Sequence, residues 1–203
     1  MSALCYPATR PIRVTEPTFI QEPLTYEEAR RQVGLGDGVA YHDADLKDLI
    51  ISAREQVEHD TGIICYTGSF TWSLTEFPCG DSLPIYGIRP VTALTSITYV
   101  ATDGTTTTWS AVNTAYSLKN KSLVPCVFLN YGYSWPTVRG DQDGITITMT
   151  AGYASVAVIP PKVKAAVRLK LHELWQLKMG EDAGRTVEGY ERLVNLIGRS
   201  DYA

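Results

Sequence analysis

The chain has 203 residues, of which 44% are hydrophobic and 20% charged, and its formal net charge is −4. That balance supports a packed core and excludes global disorder, while an acidic chain with scattered basic residues disfavours tight binding to duplex nucleic acid, which needs clustered Lys and Arg. No apolar run reaches the roughly 18 residues of a membrane helix, and Met1 to Arg13 lacks the apolar core of a secretory signal, so a membrane role and that export route are not expected.

Residues 1–23 hold Pro7, Pro11, Pro17 and Pro23 with little periodicity and read as an extended, Pro-rich arm. Thr25 can cap a short helix that starts Tyr26-Glu27-Glu28-Ala29, with Glu28 at the capping-box position; Gly34, Gly36 and Gly38 end it. A second helix is expected over 44–61. Leu46, Leu49, Ile50, Ala53 and Val57 recur at i, i+3, i+4, i+7 and i+11, which makes one apolar stripe. Asp43 or Asp45 can cap its start, and Gly62 can take the left-handed position past its end.

From about Ser69 to Tyr153 the texture becomes rich in Thr, Val, Ile, Tyr and Trp, punctuated by Gly, Pro, Asp and Asn. Strands are expected at Ser69–Leu74, Leu83–Tyr86, Leu94–Ala101, Thr106–Ser110, Ala115–Leu118, Val124–Leu129 and Gly144–Thr150. Asp103-Gly104 reads as a tight hairpin turn. Ile145, Ile147 and Met149 alternate with Thr146, Thr148 and Thr150, so that strand has one buried and one wet face. The short spacing implies antiparallel hairpins, because a βαβ crossover needs more chain.

A third helix begins at Pro160-Pro161, where a missing N–H costs nothing. At 100° per residue Val163, Ala166, Val167, Leu171, Leu174 and Leu177 share a face, with Ala165 and Leu169 away from it. It ends near Met179-Gly180; Val187, Tyr190, Val194 and Ile197 mark a last short helix before a polar tail. The expected fold class is α+β: a small helical bundle from N- and C-terminal helices, residues 24–66 plus 157–198, with an inserted antiparallel β-sheet unit over 67–156 and a tail over 199–203.

Candidate chemistry is sparse. Cys5, Cys65, Cys79 and Cys126 form no C-x-x-C pair and read as reduced thiols. Cys65 with His59, or Cys126 with His172, could in principle pair a nucleophile with a base, and no local motif supports either. Asp43, Asp45 and Asp48 lack the spacing of a calcium loop, and Asp141, Asp143 and Gly144 read as a turn. Gly34, Gly36 and Gly38 follow no strand and precede no Lys-Ser/Thr, so they are not a phosphate loop. Lys162, Lys164, Arg168 and Lys170 are spread around one helix and read first as a solvated face. No cofactor, no metal and no enzymatic activity are expected.

The ordered set of pieces resembles the head–tail connector proteins of tailed bacteriophages, of the gp6-like adaptor type, in the branch with a β-rich insertion. The pieces are Tyr26-Glu27-Glu28-Ala29, the helix Asp45-Leu46 through Val57-Glu58 ending at Thr61-Gly62, Thr71-Trp72, Leu83-Pro84, Arg89-Pro90-Val91, Ser96-Ile97-Thr98-Tyr99-Val100 and Asp103-Gly104. Trp135-Pro136, the strand into Ala151-Gly152-Tyr153, and Ile159-Pro160 with Val163-Lys164-Ala165-Ala166 complete it, over residues 24–198. The resemblance implies a structural role in the virion neck, after synthesis in the host cytoplasm. A dodecameric ring under the portal protein would continue the DNA channel, let DNA pass without specific binding, and dock a stopper or tail-completion protein. Ring contacts are expected at Ala165, Arg168, Leu169, Tyr133 and Trp135, and portal contacts at Tyr190, Val194, Ile197, Arg199 and Tyr202. Deleting residues 186–203 is expected to spare the fold and abolish portal binding. The alternative is a β-rich receptor- or glycan-binding module using Tyr131, Tyr133 and Trp135, since aromatic faces stack on sugars and bases.

Overall fold

A computed structural model describes residues 10–15, 21–36, 42–110, 112–120 and 124–199. Pro7, Pro17, Gly38, Cys5, Tyr202 and the polar tail lie outside the described residues. The chain divides into two compact units, Phe19–Tyr66 with Tyr153–Ala203, and Met1–Thr18 with Thr67–Gly152.

The first unit is helical. α1 (Tyr26–Gln32) opens on the expected capping box: the Glu28 amide donates to Thr25 Oγ1 at 3.2 Å, and the Thr25 amide donates to Glu28 Oε2 at 3.0 Å. α2 (Asp43–Thr61) buries Leu46, Ile50, Ala53 and Val57 and stops at Gly62, whose φ of 68° is left-handed. Its start corrects the expected acidic cap: His42 occupies the N-cap, and its side chain makes no capping hydrogen bond to the first turn. Asp43 instead accepts from the Tyr26 hydroxyl, and Asp45 pairs with Lys178. Each carboxylate ties α2 to another element rather than to its own free amides.

α3 (Pro161–Met179) starts on Pro161 and ends at Gly180, φ 73°. It packs against α1, α2 and α4 (Gly184–Arg199), so its buried arc is wider than one stripe and includes Glu173 and Trp175 beside Val163, Ala166, Val167 and Leu171. Leu177, expected on the buried face, is 58% exposed near the helix end. The core joins both ends of the chain: Leu24, Ala29, Ile50, Val57, Cys65, Ile159, Val167, Leu171, Tyr190 and Ile197 form one cluster.

The second unit holds two antiparallel sheets. The larger has the order β1-β2-β8-β4-β5, from β1 (Ile12–Thr15), β2 (Gly68–Leu74), β4 (Val91–Val100), β5 (Thr106–Trp109) and β8 (Ile145–Ala151). The smaller runs β3-β7-β6, from β3 (Ser82–Pro84), β6 (Tyr116–Lys119) and β7 (Cys126–Leu129). The Tyr116 hydroxyl donates to Trp109 O at 2.8 Å and Asn120 Nδ2 to Val91 O at 3.4 Å, which ties the smaller sheet to the larger.

Alternation sets the faces of the larger sheet. Phe70, Trp72, Leu74, Ile145, Ile147, Met149 and Ile97 are buried. Ser69, Thr71 and Ser73 pair with Thr150, Thr148 and Thr146, so the other face is lined by neutral hydroxyls. Gly104 (φ 86°) makes the turn between β4 and β5, with Asp103 Oδ1 accepting from the Thr105 amide at 2.9 Å. Part of the proline-rich arm is itself a strand: Ile12–Thr15 pairs with β2, and the Ser69 amide donates to Thr15 Oγ1 at 3.2 Å.

Candidate functional site

The outer face of α3 carries Ala165, Arg168 and Leu169. Arg168 Nη2 donates to Glu28 Oε1 of α1 at 3.0 Å, and His172 Nδ1 lies 3.0 Å from Gln32 O. On the other flank Leu169 packs toward α4, its Cδ1 4.0 Å from where a Cβ on Gly189 would stand. Leu169 thus has an intramolecular partner, which accounts for an apolar residue outside the main stripe. Ala165 sits half-buried between these flanks, a small residue at the centre of the face.

α4 turns most of its expected contact residues inward. Tyr190 and Ile197 are buried, and Val194 packs against the core cluster. The Tyr190 hydroxyl donates to Asp60 Oδ2 at 2.6 Å and Lys170 Nζ stands 4.8 Å above its ring, so Tyr190 joins α4 to α2 and α3. Burial pushes the Tyr190 hydroxyl pKa up, and its bond to Asp60 adds to this. Side chains spent on the chain's own core are not free for a partner, and their removal would expose apolar surface. This corrects the expectation that deleting 186–203 spares the fold. The outward face of α4 carries Arg185, Glu188, Glu191, Arg192, Asn195 and Leu196. Nothing is described of the Arg199 side chain, and Tyr202 lies outside the described residues.

In the β unit, the three aromatics after β7 do not form one platform. The Tyr133 amide donates to Asn130 O at 3.2 Å and Gly132 has φ 84°, which makes a turn with Tyr131 at its tip. Tyr131 is fully exposed and Tyr133 half exposed. Trp135 instead stacks on Phe77 with ring centroids 4.9 Å apart, meets Trp109 edge-on at 5.9 Å, and donates its indole N–H to Gly80 O at 2.7 Å. A shallow cleft of about 340 Å³ lies beside it, bordered by Glu76, Phe77, Pro136 and Arg139. One face and the one donor of Trp135 are therefore used internally, which leaves it poorly suited to reading a sugar.

A buried ion cluster escaped the sequence reading. Arg54 is only 3% exposed; its Nε donates to Glu22 Oε2 at 3.1 Å and Nη1 to Glu58 Oε2 at 3.2 Å, with the guanidinium 5.4 Å over the Tyr66 ring. The Tyr66 hydroxyl donates to Gln21 O, and the Cys65 amide to Glu58 Oε1 at 2.7 Å. The i, i+4 spacing of Arg54 and Glu58 was the one available signal. The cluster fastens the segment before α1 and the segment after α2 to one point.

The thiol–imidazole readings fail on this geometry. Burial, with the Glu58 carboxylate beside it, pushes the Cys65 thiol up to about 12, the reverse of an activated nucleophile. His59 is exposed beside Asp60. Burial raises the Cys126 thiol as well, again the reverse of an activated nucleophile. Among the described residues no group of three or more His, Cys, Asp or Glu could hold a metal ion. Asp141 O accepts from the Gly144 amide at 2.9 Å, so Asp141 to Gly144 is a turn, as expected.

No protein family matches the sequence, and no curated protein matches it. Solved structures do. A chain from the neck of an empty gene transfer agent particle, computed with C6 symmetry, is 25% identical over 83% of this chain and 84% of its own, with a TM-score of 0.66. A chain from the virion of a native gene transfer agent particle is 24% identical over the same shares, with a TM-score of 0.64. A third, from the neck of the native particle computed with C12 symmetry, is 22% identical, with a TM-score of 0.65. The likeness extends over both units and establishes a shared α+β fold.

Proposed function

We propose that this chain is a structural neck protein of a phage-like particle, a head–tail adaptor without catalytic activity. It assembles as a homo-oligomeric ring below the portal protein, continues the DNA channel, and docks the next stopper or tail-completion protein. One observation carries the reading: the fold is shared, over more than four-fifths of both chains, with chains drawn from particle necks. The C6 and C12 symmetry of those necks favours a ring of twelve copies here. A net charge of −4 and a hydroxyl-lined sheet face suit a subunit that DNA passes without being gripped, since neither offers the counterion release that drives binding. Portal contact falls to the outward face of α4, around Arg192, Asn195 and Leu196, with Arg199 and Tyr202 beyond, while Tyr190, Val194 and Ile197 hold the helix in place.

Immunogold electron microscopy of purified particles, with antibody to this chain, tests the location. Gold between head and tail is the expected result. Gold at the tail tip would replace the adaptor with a receptor-binding module, and particles without gold would remove the chain from the virion.

A further inference from the structure

We infer that neighbouring copies meet through the outward faces of α2 and α3, with Ile51 of one copy seated on Ala165 of the next; this deepens the ring reading above and rests on it. The two helices bury their stripes against each other, so the opposite faces point away from the shared core. On α2, at 100° per residue, the side opposite Leu46, Ala53 and Val57 presents Asp48, Ile51, Ser52, Glu55 and His59, all exposed. Ile51, 40% exposed, is an apolar knob with Asp48 and Glu55 on either side. Lys47 is drawn toward α1, its Nζ 5.7 Å from the Tyr26 ring, which leaves the strip acidic.

On α3 the outward face presents Lys162, Lys164, Ala165 and Arg168. Its centre is the small Ala165, walled by Arg168 against α1 and by Leu169 against α4. One face is thus an apolar knob with an acidic border and the other a shallow seat with a basic border. Complementary charge favours α2 against α3; a two-fold contact of either face with itself would set like charges together, which disfavours it. Two different complementary faces on one subunit give a head-to-tail contact, which closes into a ring when the rotation fits.

The test uses the full chain with Ile51→Cys and Ala165→Cys together, oxidised at the highest soluble concentration. Because the two positions face opposite ways within one chain, a bridge between them has to join two copies. The expected result is a ladder on a non-reducing gel with a 51–165 linked peptide in its mass map, absent from each single variant. Native mass spectrometry of the unmodified chain should show a closed oligomer. Asp48→Lys with Glu55→Lys, or Lys162→Glu with Lys164→Glu, should weaken association by about tenfold or more, and all four changes in one chain should restore it. Asp48, Glu55 and Lys162 are exposed, Lys164 is half-buried, and Glu55 lies 3.5 Å from Arg54 Nη2 at the rim of the buried cluster, so circular dichroism against the parent separates weakened association from a damaged fold. Closed oligomers with no 51–165 bridge and no response to charge reversal would overturn the contact and leave the ring standing. A 51–165 ladder with no closed species would keep the contact and sink the ring. Neither bridge nor oligomer would overturn both.

Discussion

Cys65 and Cys79 should behave as opposites. Cys65 is fully buried beside Glu58, with its thiol pushed up to about 12, whereas Cys79 is exposed. In the folded chain iodoacetamide at mildly alkaline pH should label Cys79 and spare Cys65; equal rates would contradict that burial. The same shift sets a pH dependence. A thiol raised in the folded state contributes stability that is complete below its ordinary value of 9.0 and lost as pH climbs through about 12. The melting temperature should therefore fall across that window, and Cys65→Ala should flatten part of the fall. Tyr66 and Tyr190, raised in the same direction by burial, add to it. Trp135 and Tyr131 form a second contrast. Trp135→Ala removes the stack on Phe77 and the bond to Gly80 and, at this half-buried position, should cost about 1.5 kcal/mol, while Tyr131→Ala should change stability by less than about 0.5 kcal/mol. Equal losses on denaturant unfolding would contradict this placement. Tyr131, Tyr133 and Trp135 were read from the sequence as one group that could stack on sugars or bases, but neighbours in sequence share a face only where the backbone is regular. β7 ends at Leu129 and the turn at Gly132 breaks the alternation.

At the scale of elements, signals that depend on neighbours in sequence were legible. The Thr25–Glu28 box, the stripe of α2, the left-handed Gly62, Pro161 at the start of α3 and the Asp103-Gly104 turn all need only a few adjacent residues. Signals that depend on a distant partner were not. Asp43 and Asp45 look like caps until Tyr26 and Lys178 compete for them. A single stripe was expected on α3, yet three helices surround it. Tyr190 was read as a contact for another protein, and Asp60, far back in the chain, claims its hydroxyl. α4 supplies the matching test. Ile197→Ala should cost about 3 kcal/mol, whereas Leu196→Ala, at the adjacent and 57% exposed position, should cost less than about 0.5 kcal/mol. If Leu196→Ala destabilised as much as Ile197→Ala, the docked face of α4 would be wrong. Loss of portal capture by Leu196→Asp or Arg192→Glu, with the melting temperature unchanged, would separate binding from folding where a truncation cannot.

The α+β class of the whole molecule could be read because the hydrophobic period changes twice, from 3.6 to 2 and back. The split into two sheets, the pairing of Ile12–Thr15 with β2, and the Arg54 cluster joining Glu22 to Glu58 could not, since each is set by long-range register or burial that no local pattern records. Function shows the same division. Among the described residues no group of three or more His, Cys, Asp or Glu could hold a metal ion, and what the fold offers is surfaces: an acidic strip, a basic strip, an outward α4 and a neutral sheet face. Those surfaces suit a subunit whose work is to hold its neighbours around a channel. A cryo-electron microscopy reconstruction of the particle neck tests this most directly. The expected result is this α+β fold repeated around the channel between portal and tail, with α2 of each copy against α3 of the next. A resolved neck lacking the fold, or the fold found only at the tail tip, would contradict it.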